Sequence, residues 1–198
     1  MYSVPSSLTE KQILRNAVLA KRDALTPDFR DKAARTIAEN YADTLNIQSG
    51  QIISGFWPIR SEIDPRPLLH SLRERGALIC LPVILNKTQI CFRLWQENQT
   101  LIPCGFGTMA PDETAPILRP DVMLMPLAGF DSQGHRLGYG AGYYDRYISN
   151  LHATNHFPEL IGFAFACQEL PCVPDEPHDV PLEKIVTENG LRFFQTRY

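Results

Sequence analysis

Val122-Met123-Leu124-Met125-Pro126-Leu127-Ala128-Gly129-Phe130-Asp131-Ser132-Gln133-Gly134-His135-Arg136-Leu137-Gly138-Tyr139-Gly140-Ala141-Gly142-Tyr143-Tyr144-Asp145-Arg146 is the stretch on which the reading of this chain turns. It opens with an apolar run, residues 122–127, that suits a strand buried on both faces. It closes on a segment predicted to become helical near Tyr143. Between them Gly138, Gly140 and Gly142 alternate, which permits positive φ and lets the backbone approach a ligand without a Cβ in the way. A loop of that kind at a helix N-terminus offers free amides and the helix dipole to an anion. Arg136 before it and Arg146 after it add positive charge toward phosphate. Asp145 adds a carboxylate of the kind that holds Mg²⁺ bridging phosphate oxygens. No Lys-Ser or Lys-Thr follows the glycines, so this is not a P-loop. The third glycine also falls one residue early for GxGxxG, with Tyr143 in its place. On spacing alone, a glycine-rich turn that merely reverses the chain remains open.

Working outward, strands and helices alternate. Ser7-Leu8-Thr9-Glu10 fits a capping box, followed by Ile13, Leu14, Ala17 and Val18 at helical spacing. Lys11, Arg15 and Arg22 form a second stripe on that helix; Arg22 is read as a solvated basic side chain. Thr26-Pro27 starts a second helix whose buried side is expected at Phe29, Ala33, Ile37, Tyr41 and Leu45. Residues 51–57 read as a short buried strand that ends at Trp57. Asp64-Pro65 opens a helix carrying Leu68, Leu69 and Leu72, and Gly76 closes it. Strands follow over residues 77–83 and 88–94. Residues 103–120 read as a long Pro- and Gly-rich excursion, a candidate functional loop. Residues 160–165 and 184–187 supply the last strands. Trp95 is expected to be core or a loop anchor. The pattern predicts an α/β fold, a mostly parallel sheet with helices on both faces in a three-layer sandwich. No repeat or linker divides it, so residues 1–198 are expected to form one domain.

The 198 residues suffice for a sizeable core, and a formal charge of −3 gives no general attraction to nucleic acid or anionic membrane. Bound phosphate therefore needs a local cluster of cations and amides. Cys80, Cys91, Cys104, Cys167 and Cys172 are odd in number and form no CxxC pair, so reduced thiols are expected. No run approaches the ~20 apolar residues of a membrane span, and the N-terminus lacks a signal core. A cytoplasmic protein is the expectation. His70, His135, His152, His156 and His178 are not spaced as a metal site, and His178 is read as structural.

The run Arg-Leu-Gly-x-Gly-x-Gly-Tyr-Tyr-Asp-Arg, preceded by residues 126–131 and Gly134, resembles the signature of the 5-formyltetrahydrofolate cyclo-ligases. Three further blocks agree with that family in order. They are Lys11-Gln12-Ile13-Leu14-Arg15, Trp57 through Glu62-Ile63-Asp64, and Pro174 through His178-Asp179 followed by Ile185-Val186-Thr187-Glu188. The resemblance implies that Lys11, Gln12, Ile13, Leu14 and Arg15 bind ATP together with Arg136, Leu137, Gly138, Tyr139, Gly140, Ala141, Gly142, Tyr143 and Tyr144. It implies that Arg15, Trp57, Glu62, Tyr139, Gly140, Ala141, Gly142 and Tyr143 hold the folate. Asp145 and Asp179 would be the Mg²⁺ ligands, and Lys11, Arg15, Arg136 and Tyr143 the catalytic group. Ala141 departs from the glycine or lysine common in the family, so only its backbone amide is counted.

By the same resemblance, 5-formyltetrahydrofolate and ATP would give 5,10-methenyltetrahydrofolate, ADP and phosphate. The γ-phosphoryl passes to the formyl oxygen, nitrogen 10 attacks the same carbon, and phosphate departs. Positioning and charge neutralisation dominate such chemistry, which suits a set of cations, amides and carboxylates with no conventional nucleophile. The expected partners are these two small molecules alone, with no nucleic acid or membrane, on a chain taken as a monomer. Two other readings stay open: a related ATP-dependent kinase or ligase with another substrate, and a non-catalytic folate- or nucleotide-binding relative.

Overall fold

A computed structural model describes residues 9–174, 176 and 179–194. Helix α1 (Glu10–Asp23) starts at Thr9, whose Oγ accepts the Gln12 amide at 3.3 Å while the Gln12 side chain accepts the Thr9 amide at 2.9 Å. The capping box therefore sits two residues later than expected. Gln12 stands three residues after Thr9, as reciprocal capping requires, and Ser7 lies outside the described residues. Helix α2 (Pro27–Tyr41) is capped by Thr26, as predicted.

The remaining elements follow in chain order: β1 (Ile52–Ser54), α3 (Arg66–Glu74), β2 (Leu78–Ile84), β3 (Ile90–Leu94), β4 (Ile102–Pro103), β5 (Met109–Ala110) and β6 (Ile117–Leu118). Then come β7 (Val122–Pro126), β8 (Gly129–Phe130), β9 (Arg136–Leu137), α4 (Tyr143–His152), β10 (Glu159–Phe163), a 3₁₀ turn (Ala166–Gln168), β11 (Lys184–Thr187) and β12 (Gly190–Phe193). The main sheet runs β12-β11-β10-β7-β1-β2-β3-β6. Its centre, β11-β10-β7-β1-β2, is parallel, with Ile53 opposite both Ile79 and Val122, and Leu124 opposite Ile161. The flanking pairs are antiparallel.

Strand alternation distributes the core between two faces. Val122 and Leu124 pack with Ile37 of α2 and Leu68, Leu69 and Leu72 of α3. Met123 and Met125 pack on the opposite face with Ile148 and Leu151 of α4. The result is the expected three-layer α/β fold. Burying an apolar side chain of this size is worth about 1.5–3 kcal/mol, so uninterrupted apolar strands are what a doubly covered sheet demands.

Three expectations need correction. Phe29 is 41% exposed: its ring lies tilted against Phe165, with centroids 6.2 Å apart, instead of entering the core. Residues 103–120 are not one free loop: β4 and β5 form a hairpin, and β6 adds to the sheet edge beside β3. Strand β12 was not foreseen, although Asn189-Gly190 directly after β11 is a hairpin signal.

The chain runs β1–α3–β2 over one face and β7–α4–β10 over the other. Adjacent strands β1 and β7 thus send their following segments to opposite sides. Their carboxyl ends form a topological switch point, where open α/β sheets bind ligands.

Candidate active site

The segment leaving β7 forms the small hairpin β8–β9, then the glycine loop, then α4. Gly140 (φ 98°) and Gly142 (φ 64°) take the left-handed conformation. Gly138 does not, so two of the three alternate glycines carry the turn. Gly142 begins α4 without any side-chain cap, whereas Thr9 and Thr26 cap α1 and α2. The first amides of α4 therefore point out of the helix unsatisfied by a capping side chain, the geometry that receives anions.

Helix α1 lies across the hairpin, burying Val18 against Ala128, Leu137, Leu170 and Val173, with Leu14 beside it. This turns Arg15 onto the glycine loop, where its Nε donates to the Gly138 carbonyl at 2.8 Å. The Arg15 guanidinium lies 3.6–3.7 Å from where a Cβ on Gly140 would stand. Lys11 Nζ bonds Glu176 at 2.9 Å and Asp179 at 3.0 Å. Burial works against the Lys11 charge, but these two carboxylates outweigh it and hold the ammonium above its usual range. The rest of the N-terminal block points elsewhere. Gln12 serves the cap, Leu14 packs inward, and Ile13 is exposed together with Ala17, although both were expected on the apolar face.

Arg136 lies beneath the loop with its side chain only 6% exposed. It pairs with Asp145 and donates to the Val180 carbonyl at 2.5 Å, and it also feels the charge of Asp179. Expected as a cation open to phosphate, it instead gathers the two candidate metal carboxylates. Arg146, on the far side, donates to the carbonyls of Ala141 (2.7 Å) and Thr88 (2.8 Å). Among the described residues no cluster of three or more His, Cys, Asp or Glu could hold a metal. Asp131 and His135 are structural: the buried carboxylate accepts the amides of Gln133, His135 and Val173 and bonds the His135 ring at 3.0 Å. His178 lies outside the described residues.

The segment leaving β1 supplies the facing wall. Glu62 accepts the Ile59 amide at 2.8 Å and lies beside Tyr139 of the glycine loop, whose hydroxyl feels its charge. Burial raises its carboxyl above the usual range, opposed by those contacts and by Arg22 and Arg60. Trp57 stands edge-on to Trp95 at 6.2 Å and carries the Arg66 guanidinium at 4.6 Å. Trp95 anchors the loop as expected, its carbonyl taken by Arg73 at 2.8 Å. A closed cleft, too tight to admit water, separates Glu62, Phe56 and Ile63 from Pro126, Leu127 and Phe163, with Arg22 and Gln168 packed across it. The Tyr144 hydroxyl is buried with no hydrogen-bond partner and feels both Glu62 and Arg136.

The sequence reading missed three contributors. Arg22, read as solvated, is 1% exposed and lines the cleft. Gln168 donates to the carbonyls of Leu127 and Ala128 at 2.8 and 2.9 Å, a long-range contact with no local signal. Phe106 rides the tip of the β4–β5 hairpin, 72% exposed, with its ring 6.3 Å from Tyr143. On the same hairpin Thr108 donates to the Trp57 carbonyl at 3.4 Å. The Gly105-Phe106-Gly107 triplet was the available clue to a tight tip, since all three have positive φ.

Residues 7–188 match the family described as the 5-formyltetrahydrofolate cyclo-ligase family. This chain belongs to that family. It is accordingly an enzyme of the cyclo-ligase class. The chain is similar to the 5-formyltetrahydrofolate cyclo-ligase of Mycolicibacterium smegmatis, 32% identical over 89% of this chain and 93% of that one. The Escherichia coli protein of the same name is 28% identical over 86% and 96%. Among solved structures, the 5,10-methenyltetrahydrofolate synthetase of Aquifex aeolicus superimposes with a TM-score of 0.78 at 26% identity, covering 96% of this chain and 95% of that one.

Proposed function

We propose that the chain uses ATP and Mg²⁺ to convert 5-formyltetrahydrofolate into 5,10-methenyltetrahydrofolate, acting as one domain. Membership of the family supports the cyclo-ligase reaction itself. One observation carries the finer reading: a single loop, residues 138–142, touches both candidate sets. Arg15 bonds it at Gly138, and Glu62 lies beside it at Tyr139. Nucleotide phosphate at the uncapped start of α4 and a folate against Glu62 would then be neighbours.

In this reading Glu62 accepts from the donor edge of the pterin, and Trp57 walls the ring system. The amides of residues 140–144, with Lys11 and Arg15, neutralise and align the phosphates as the γ-phosphoryl passes to the formyl oxygen. Nitrogen 10 closes the ring on the same carbon. Asp145 and Asp179, both drawn toward Arg136, suit Mg²⁺, which commonly takes one or two carboxylates and completes its shell with phosphate oxygens and water. When bound, the ion would supply charge neutralisation at the phosphates. No described helix is long and apolar enough to cross a membrane. The reading places the chain in the cytoplasm, as a monomer acting on these small molecules.

The test is absorbance at the methenyl product's band after mixing protein, 5-formyltetrahydrofolate, Mg²⁺ and ATP. A rise that requires ATP is expected. No rise overturns the reading in favour of another substrate or of a non-catalytic binder, and a rise without ATP overturns the mechanism.

A further inference from the structure

Arg22 is the only arginine among the largest fully buried side chains of the described residues. A guanidinium out of water is costly unless its donors are met, and here they are met by two other segments. Its Nε donates to Ser61 Oγ at 2.9 Å, and Nη1 donates to the Tyr139 hydroxyl at 2.5 Å. Ser61 in turn donates to Asp23, next to Arg22 on α1. The Arg22 charge also acts on Glu62, one residue from Ser61. Ser61 follows β1 and Tyr139 follows β7, so one side chain from α1 bridges both lips of the cleft it lines.

We infer that Arg22 is a positioning residue for the folate, tying Tyr139 to the Ser61–Glu62 step so that the Glu62 carboxylate keeps a fixed place beside the glycine loop. Tyr139 has a single proton. With Arg22 donating to its oxygen, that proton goes to the Leu127 carbonyl at 3.3 Å, which fixes the hydroxyl beside Glu62. Without Arg22, the hydroxyl keeps only that long bond and loses its fixed place beside Glu62. The charges facing Glu62 are Arg22 and Arg60, with the Tyr139 and Tyr144 hydroxyls beside it. Removing Arg22 therefore removes one of two cations from that wall. The effect falls on the folate side, because Arg22 meets Tyr139 at its side chain, beside Glu62, and not at the backbone amides offered to the nucleotide.

This inference rests on the functional reading above, and the experiment separates the two. Arg22→Met and Arg22→Lys are measured against the wild type for KM toward 5-formyltetrahydrofolate, KM toward ATP and thermal midpoint. Arg22→Met is expected to raise the folate KM about tenfold or more while the ATP KM stays within about twofold, and Arg22→Lys to recover part of the loss. The double variant Arg22→Met/Tyr139→Phe is expected to bind folate no worse than the weaker single variant, since both act through one hydroxyl. Equal shifts in both KM values, or multiplicative losses in the double variant, overturn the inference. If Arg22→Met does not fold, Ser61→Ala, which removes one anchor of the same guanidinium, must show the same folate-selective rise or the inference fails. A wild type that forms no methenyl product would instead overturn the functional reading itself.

Discussion

Arg15 donates its Nε–H to the Gly138 carbonyl at 2.8 Å, joining helix α1 to the loop that precedes α4. A hydrogen bond from a charged donor is worth about 1.5–3 kcal/mol. Arg15→Ala is therefore expected to lower kcat/KM by roughly 10- to 100-fold. The fold survives, because Val18 and Leu14 carry the packing of α1. Steady-state product absorbance checks the first expectation and a thermal scan the second; unchanged turnover would remove Arg15 from the site.

Asp145 is expected to show two separable effects. Asp145→Asn weakens the hold on Mg²⁺, so the concentration needed for half-maximal activity rises several-fold in a magnesium titration. Asp145→Ala also leaves Arg136 without its carboxylate in a buried setting, at a cost of about 1.5–3 kcal/mol in denaturant unfolding. Full ATP-dependent activity in purified Asp145→Ala would end the metal assignment.

Two carboxylates, one half-buried and one buried, bend the stability curve in opposite directions. Burial raises the Glu62 carboxyl above its unfolded value, so the fold prefers its neutral form. Its favourable contribution is complete below the ordinary carboxylate range and is lost as pH rises through the raised value. Glu62→Gln is accordingly expected to raise the melting temperature at neutral pH, to change nothing near pH 3, and to weaken folate binding. For Asp131, burial pushes the carboxyl up, but four hydrogen bonds from Val173, Gln133 and His135 outweigh it and hold it below the usual range. Its contribution is present above that range and disappears as pH falls through the lowered value. Asp131→Asn should therefore melt lower at pH 7, with the gap closing in acid.

Trp57 and Trp95 form one edge-on pair but are expected to answer differently. An aromatic pair of this geometry adds about 0.5–1.5 kcal/mol. Trp95→Phe should lower the melting temperature by a few degrees and leave KM for the folate unchanged. Trp57→Ala should raise that KM at least several-fold. Equal effects on KM would make Trp57 a packing residue only.

Most of the sheet was legible because a strand covered on both sides has no choice but to be apolar throughout, as residues 122–127 are. The edges were harder. β6 and β12 are short, half-exposed and read as loop, since edge strands need no continuous apolar run. Arg22 is the instructive error. It falls on the same helical stripe as Lys11 and Arg15, as the spacing says, but that stripe also lies next to Val18, so it faces the glycine loop and not water. Charge type in the sequence records chemistry, and only tertiary packing decides whether the medium around it is wet. The same holds for Arg136, which pairs with Asp145 inside the motif and with the Val180 carbonyl, 44 positions on and outside it.

Lys11 and Asp179, 168 positions apart, meet at 3.0 Å, and the two lips of the cleft are bridged from α1. No wall of this crevice is local. A ribosome-bound chain that has emerged only as far as α4 holds the glycine turn and the tryptophan wall but not the carboxylate that Lys11 meets. Loops of such length are slow to close. Catalytic competence should thus wait for the segment that carries Asp179 and, directly behind it, strand β11, so the crevice and the sheet are completed together.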